Sequence, residues 1–358
     1  MTETLTSPTA VAADSLLVRA CRREPTERTP IWLMRQAGRY MPEYRLLRSR
    51  QTMLEAIGDP ATAAEITLQP VERIGVDAAI VFSDILAPLP GMGLDLDFVA
   101  GAGPRISNPI RTAAAVDRLP TPPAEDTIAG TIGAIRLVKQ ALEPRGIPVI
   151  GFSGAPFTLA CYAIEGGGSQ RYEVAKEFMY REPAAWSRLM RRLVTVLTDC
   201  LLAQARAGAD ILQVFDSWAG ALGPGDYARY VRPYNTVLFA AVASAGVPVI
   251  NFSTGSGSYF EEVAACGGDV LGVDWRTPLD VVRGRLGDRI AVMGNLDPVT
   301  LLAPWRELKA HADDVLHRAG DAPGHVFNLG HGVLPTTPVD NVRRLVDYVK
   351  ETSGRPGE

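Results

Sequence analysis

Eight short runs recur along the chain: Ile31 to Met34, Ala78 to Phe82, Pro148 to Phe152, Ile211 to Phe215, Val247 to Phe252, Val270 to Val273, Ile290 to Gly294 and Val326 to Leu329. Each is nearly all apolar instead of alternating. That pattern suits strands buried on both faces, and a parallel sheet of such strands requires a crossover helix between neighbours. The clearest helix runs from Pro183 to about Ala207, with Trp186, Leu189, Met190, Leu193, Val196, Leu197, Cys200 and Leu201 on one face and Gly208 at its end. Three more helices are expected where a polar residue precedes proline, at Asp59-Pro60, Asp297-Pro298 and Thr337-Pro338. The last would present Val339, Val342, Leu345, Val346 and Val349. No Pro/Ser-rich linker interrupts the series. These features predict a single (β/α)8 TIM barrel over residues 15–352, with short flexible tails at 1–14 and 353–358.

Charge narrows the function. Lys and Arg number 36 against 40 Asp and Glu, a net −4, which gives no general attraction to nucleic acid or anionic lipid. The N-terminal residues lack the basic start and apolar run of a signal peptide. The most apolar long stretch, Val237 to Phe252, contains Ser244, Gly246 and Pro248, and reads as a buried helix running into a strand instead of a membrane span. Cys21, Cys161, Cys200 and Cys266 lie far apart without a C-x-x-C pair, so a disulfide framework or structural zinc site is not expected, and a reducing cytoplasm is the natural compartment.

In a barrel the chemistry sits at the C-terminal ends of the strands. After the first run comes Arg35-Gln36-Ala37-Gly38-Arg39-Tyr40, two guanidiniums four residues apart around a glycine, a pattern suited to clamping carboxylates or phosphates. From Arg19 to Arg50 nine Arg face three Glu, a local balance of +6. Arg19, Arg22, Arg23, Arg45, Arg48 and Arg50 read as a solvated face with ordinary surface pairs; Arg35 and Arg39, beside a strand end, read as ligand-binding. Asp84, after the second run, either caps the next segment or holds N–H donors of a bound ring and stabilises a cation on it. Tyr162 either packs or offers its hydroxyl. Ser217 and His331 follow the fourth and eighth runs, and Gly330 and Gly332 leave His331 room to meet a ligand. His311 and His317 lie on a helix and read as surface residues.

Two long connections, Ser83 to about Ile110 and Gly154 to about Tyr172, are the natural covers of a site. There is no G-x-G-x-x-G opening a helix, no G-x-x-x-x-G-K-[ST], no H-E-x-x-H and no G-x-S-x-G, which argues against nucleotide binding, zinc proteolysis and serine hydrolysis.

The runs Pro30-Ile31-Trp32-Leu33-Met34-Arg35-Gln36-Ala37-Gly38-Arg39 and Gly151-Phe152-Ser153-Gly154-Ala155-Pro156-Phe157-Thr158-Leu159-Ala160-Cys161-Tyr162 closely resemble the two signatures of the uroporphyrinogen decarboxylase family. Phe82-Ser83-Asp84-Ile85-Leu86, Gly166 to Ser169, Gly294-Asn295-Leu296-Asp297-Pro298 and Asn328-Leu329-Gly330-His331-Gly332 resemble further motifs of that family, in order. Trp218 stands where the family varies. The resemblance implies a homodimeric barrel that needs no cofactor and removes CO2 from the four acetates of uroporphyrinogen III, giving coproporphyrinogen III. It further implies that Arg35, Gln36, Ala37, Gly38, Arg39, Tyr162, Ser217 and His331 contact substrate. Asp84 would hold the pyrrole N–H groups and stabilise the transition state. Arg35 and Asp84 would be catalytic, with Arg35, Tyr162, His331 and water open as proton donors, although a guanidinium is a weak general acid. Two other outcomes are weighed: a zinc-dependent corrinoid or thiol methyltransferase of the related barrel, which needs a His-x-Cys pair and a distant Cys, and a tetrapyrrole-binding protein without turnover. The fifth run ends Asn251-Phe252-Ser253, which lacks that pair.

Overall fold

The computed structural model describes residues 14–99, 101 and 103–354. All but the last residue of the expected N-terminal tail, and 355–358 of the C-terminal one, lie outside them. Seven strands form one parallel sheet in spatial order: β1 (Ala79–Ile80), β4 (Val149–Gly154), β5 (Ile211–Asp216), β6 (Val249–Ser253), β7 (Val270–Gly272), β8 (Ala291–Leu296) and β9 (His325–Leu329). The remaining two, β2 (Leu96–Val99) and β3 (Gly103–Ile106), make a separate antiparallel hairpin inside the long connection Ser83 to Ile110, where the sequence predicts no strand. Its strands carry Asp97, Gly103, Pro104 and Arg105 and so lack the apolar signature of the buried strands.

The first expected strand is the main departure. Only Ile31 makes a ladder contact, a parallel bridge to Phe327. The segment nevertheless joins both edges of the sheet: Phe327 N–H donates to Pro30 C=O at 2.9 Å on the β9 side, and Asp77 N–H donates to Ile31 C=O at 2.8 Å on the β1 side. Beyond Ile31 the backbone pairing is reduced to Trp32 N–H donating to Phe327 C=O at 3.4 Å and Val333 N–H donating to Met34 C=O at 2.9 Å, and side-chain amides supply further partners. Gln36 accepts from Leu33 N–H at 3.0 Å and donates to Ala78 C=O at 2.9 Å, while Asn328 accepts from Met34 N–H at 3.0 Å. Both amides are fully buried, as backbone groups shut away from water require of their partners.

The sheet curls around an apolar interior of Trp32, Met34, Ile80, Ile150, Ile211, Ile250, Val270, Met293 and Val326, and Leu17, Val18 and Cys21 of the helix Leu16–Cys21 pack onto the same cluster. Helices cover the outside. The helix Pro183–Arg206 buries every residue of its expected stripe, and the helix Val339–Thr352 buries Val342, Leu345, Val346 and Val349. Asp59 caps the helix Pro60–Ile74 as expected, but Asp297 caps only the short 3-10 helix Pro298–Leu302. Thr337 caps nothing: Pro338 holds the cap position, and the buried Thr337 hydroxyl has no hydrogen-bond partner among the described residues. No described helix is long and apolar enough to cross a membrane.

Gln204, near the end of the helix Pro183–Arg206, accepts from Phe152 N–H at 2.8 Å and donates to Phe152 C=O at 3.0 Å, extending the ladder where β4 outruns the two-residue β1. Gly151 leaves the space, since a Cβ there would lie 2.7 Å from Gln204 Oε1. Gln204→Leu strands two backbone groups, so the urea midpoint should fall by the equivalent of about 2–4 kcal/mol while the helical circular dichroism is retained. An unchanged midpoint would show that Phe152 finds other partners.

Candidate active site

Residues just beyond the C-terminal ends of the strands converge on one mouth. Arg35 ends the segment spanning β9 and β1 and adopts a left-handed backbone, φ 59°, unusual for a side chain of its size. Gly332, after β9, packs on its stem; a Cβ at Gly332 would lie 2.4 Å from Arg35 Cδ. The Arg45 guanidinium donates to the carbonyls of Arg39 and Tyr40 at 2.9 and 3.1 Å, which fixes the chain that carries Arg39. Arg35 and Arg39 are exposed and form no ion pair or side-chain hydrogen bond among the described residues, whereas Arg19 pairs with Glu27 at 2.8 Å in the expected surface manner. Ala37 and Gly38 are half-buried between them. Gln36 is 0% exposed, and its amide is committed to Leu33 and Ala78; it supports the loop and does not reach the open mouth.

Asp84 follows β1, half-buried, with Oδ1 accepting from Leu86 N–H at 2.9 Å. Loss of water raises its carboxyl above the ordinary range, against the opposing pull of the Leu86 N–H and the Arg35 guanidinium. Tyr162 lies on the helix Pro156–Glu165, half-buried. Burial raises its hydroxyl's pKa; the Asp84 charge adds to the effect and the Arg35 charge opposes it. Asp84, Arg35 and Tyr162 therefore share one field. Tyr162 stacks on Trp218 with ring centroids 3.8 Å apart, and Tyr172 tilts against the same Trp218 at 4.7 Å. Ser217, after β5, is held by Thr254, whose hydroxyl donates to its carbonyl at 2.5 Å. Beneath it the buried Asp216 accepts from Thr158 at 2.8 Å, and desolvation pushes its carboxyl up to about 6. Phe152, Phe215 and Phe252 meet edge to face at 5.5 and 5.7 Å, an apolar floor at the strand ends.

His331 accepts from Gly332 N–H through Nδ1 at 2.8 Å, which leaves Nε2 to carry the proton of the neutral ring. Burial lowers its pKa from 6.5; the charges of Arg35 and then Arg276 add to this, and Asp274 opposes them. It is neutral at pH 7. Its ring meets Trp275 edge to face at 6.5 Å. The structure thus gathers Arg35, Asp84, Tyr162 and His331 around one space, with Ser217 next to the Trp218 that stacks on Tyr162 and Arg39 exposed four residues beyond Arg35. Sequence reasoning missed Asp274, Trp275 and Arg276, although they directly follow the run Val270 to Val273 and the strand-end rule could have found them.

The curled parallel α/β sheet thus carries exposed cations, a half-buried carboxylate and an aromatic floor near its C-terminal end, the arrangement of an α/β-barrel-like enzyme site. The family model described as uroporphyrinogen decarboxylase (URO-D) matches residues 12–352. Proteins named uroporphyrinogen decarboxylase are similar along almost their whole length: that of Chloroflexus aurantiacus is 55% identical over 93% of this chain and 94% of its own. That of Roseiflexus sp. is 53% identical over 95% and 99%, and that of Thermus thermophilus 48% over 95% and 98%. The chain belongs to the uroporphyrinogen decarboxylase family. Among solved structures, a methyltransferase from Methanosarcina mazei shares the fold, with TM-score 0.76, 19% identity and coverage of 94% of this chain and 97% of that one.

Two outcomes follow from the packing around Arg35. Gly332→Ala must push the guanidinium aside, so kcat/KM should fall about tenfold or more while the melting temperature barely moves. The 13C-edited NMR titration of His331 should have a midpoint below 6.5; Arg35→Gln should raise that midpoint yet leave it below 6.5, because burial is the larger cause. The sign carries over to stability: as pH falls through 6.5 the unfolded chain takes up this proton first, so His331 then weakens the fold.

Proposed function

We propose that this chain decarboxylates the four acetate side chains of uroporphyrinogen III to give coproporphyrinogen III, with the reacting pyrrole held between Asp84 and the Arg35 side of the mouth. The chain is a carboxy-lyase of tetrapyrrole synthesis by family, and the observation that carries the site assignment is the joint placement of Arg35, Asp84, Tyr162 and His331 beyond the strand ends.

Loss of CO2 from an acetate leaves an electron pair on the methylene, which needs a sink. An electron-rich pyrrole supplies one. A proton added to the ring carbon beside the acetate-bearing carbon creates an iminium; the C–C bond electrons flow into it as CO2 departs, a second proton converts the exocyclic methylene to methyl, and the ring carbon gives up the first proton to restore the pyrrole, so each acetate consumes one proton overall. Asp84 stabilises the cationic ring while accepting from the pyrrole N–H groups, and its partial desolvation strengthens that attraction over its value in water. Arg35 and Arg39 engage substrate carboxylates, and Ala37 and Gly38 leave the intervening backbone accessible. Tyr162, Ser217 and His331 border the ring. Burial keeps the Tyr162 hydroxyl protonated and His331 neutral, so both act as neutral hydrogen-bonding groups at pH 7.

The segment Ile31 to Met34 serves as the eighth member of a closed (β/α)8 barrel, a proposal supported by its hydrogen bonds to both sheet edges. A cytoplasmic homodimer is the expected form, and nucleic acid and membrane are not expected partners. The zinc methyltransferase alternative is disfavoured by donor chemistry: all four cysteines are buried, and no three His, Cys, Asp or Glu side chains cluster suitably for a metal among the described residues.

Anaerobic incubation of chelator-treated protein with freshly reduced uroporphyrinogen III, followed by chromatography by carboxylate number, should show eight carboxylates falling to four. Asp84→Ala should cut turnover by about 100-fold or more with binding changed only a few-fold. The double change Arg35→Ala and Arg39→Ala should instead weaken capture. Near-normal turnover in Asp84→Ala would overturn the role given to that carboxylate.

A further inference from the structure

We propose that Arg276 is a third carboxylate-binding arginine of this mouth, set on the side of His331 away from the Arg35 and Arg39 loop and presented by a platform of Trp275 and Asp274. The proposal rests on the decarboxylase reading and deepens it by assigning a residue to the substrate's outer carboxylates.

Three observations carry it. Arg276 lies beyond the C-terminal end of β7, on the same rim as Arg35 and His331. Its guanidinium lies 3.9 Å from the centre of the Trp275 ring, and that ring meets His331 edge to face at 6.5 Å, so the cation is tied to the wall of the site by two ring contacts. Its orientation is also imposed from below. The buried Asp274 accepts from Arg276 Nη1 at 2.9 Å, from Arg276 N–H at 3.0 Å and from Gly255 N–H at 2.6 Å. Gly330 abuts the Trp275 backbone, where a Cβ would lie 2.3 Å from Trp275 N, so β9 and the Trp275 turn interlock.

The side chain of Arg276 is still 59% exposed. Only one of its five N–H donors is spent on Asp274, and a guanidinium fixed on one edge with its other edge open suits a planar carboxylate. Asp274 and Arg276 are neutral as a pair, so the device selects by directed hydrogen bonds more than by net charge. Uroporphyrinogen carries eight carboxylates, more than Arg35 and Arg39 can engage. The His331 environment agrees with this geometry, since the Arg276 charge reaches the imidazole.

The test compares wild type, Arg276→Gln, Arg276→Lys and a remote charge control, Arg343→Gln, whose own partner is the surface Asp340 at 3.1 Å. Two readouts are used: anaerobic turnover of uroporphyrinogen III, and equilibrium binding of the same compound by quenching of tryptophan fluorescence, which needs no turnover. Arg276→Gln should raise KM and the dissociation constant about five- to tenfold with kcat within twofold, Arg276→Lys should recover part of the loss, and Arg343→Gln should change neither. The rise of KM with salt should also be shallower in Arg276→Gln than in wild type. Unchanged binding and KM in Arg276→Gln would overturn the proposal, as would a loss confined to kcat or matched by a fall in melting temperature, which would mark a structural strut. If wild type binds but does not turn over, the decarboxylase reading fails, while the binding comparison still decides the role of Arg276.

Discussion

The Gln36 amide is the interaction on which the site most depends. A curled parallel sheet has two edges, and here the chain between them, Pro30 to Met34, pairs with a full backbone ladder on neither side. Every buried N–H and C=O left over would cost about 1–3 kcal/mol. Gln36 and Asn328 absorb that cost with side chains that imitate strand neighbours. Because Gln36 is anchored immediately after Arg35, the guanidinium stem emerges at a fixed point between β9 and β1. Asp84 emerges from the far side of that same gap, and His331 from the near side.

From that anchor the electrostatics of the mouth follow by proximity. Removing water raises Asp84 and lowers His331, so both are biased toward their neutral forms, and Arg35 restrains the first shift while reinforcing the second. A substrate bringing several carboxylates and several pyrrole N–H groups supplies what each lacks. The aromatic floor of Phe152, Phe215 and Phe252 offers no donors, which confines the charged groups of any ligand to the rim.

Much of this was legible in sequence because two physical rules are local. Strands buried on both faces must be continuously apolar, and seven of the eight runs are strands within a few residues of their expected bounds. Chemistry must sit where strands end, which singled out Arg35, Asp84, Ser217 and His331. The rest was decided by contacts between distant segments. Nothing in the run around Gln36 shows that its amide would meet Ala78, 42 residues away, and so be buried instead of facing a ligand. The hairpin of β2 and β3 is held by its own ladder and by pairing with the Gly166 loop, where Ile106 N–H donates to the Gly166 carbonyl, and two four-residue strands are too short to carry a clear periodic signal. Thr337 matched a cap pattern, yet the proline after it took the cap position.

The left-handed backbone of Arg35 places two demands on one residue. A long side chain held at φ 59° costs roughly 1–3 kcal/mol relative to a relaxed conformation, and glycine or asparagine would sit there with little or no such cost. Neither could offer a guanidinium to an anion. On the role proposed for Arg35, selection for heat resistance and selection for turnover favour different residues at position 35, and a library built there and screened for each property would separate into two populations with little overlap.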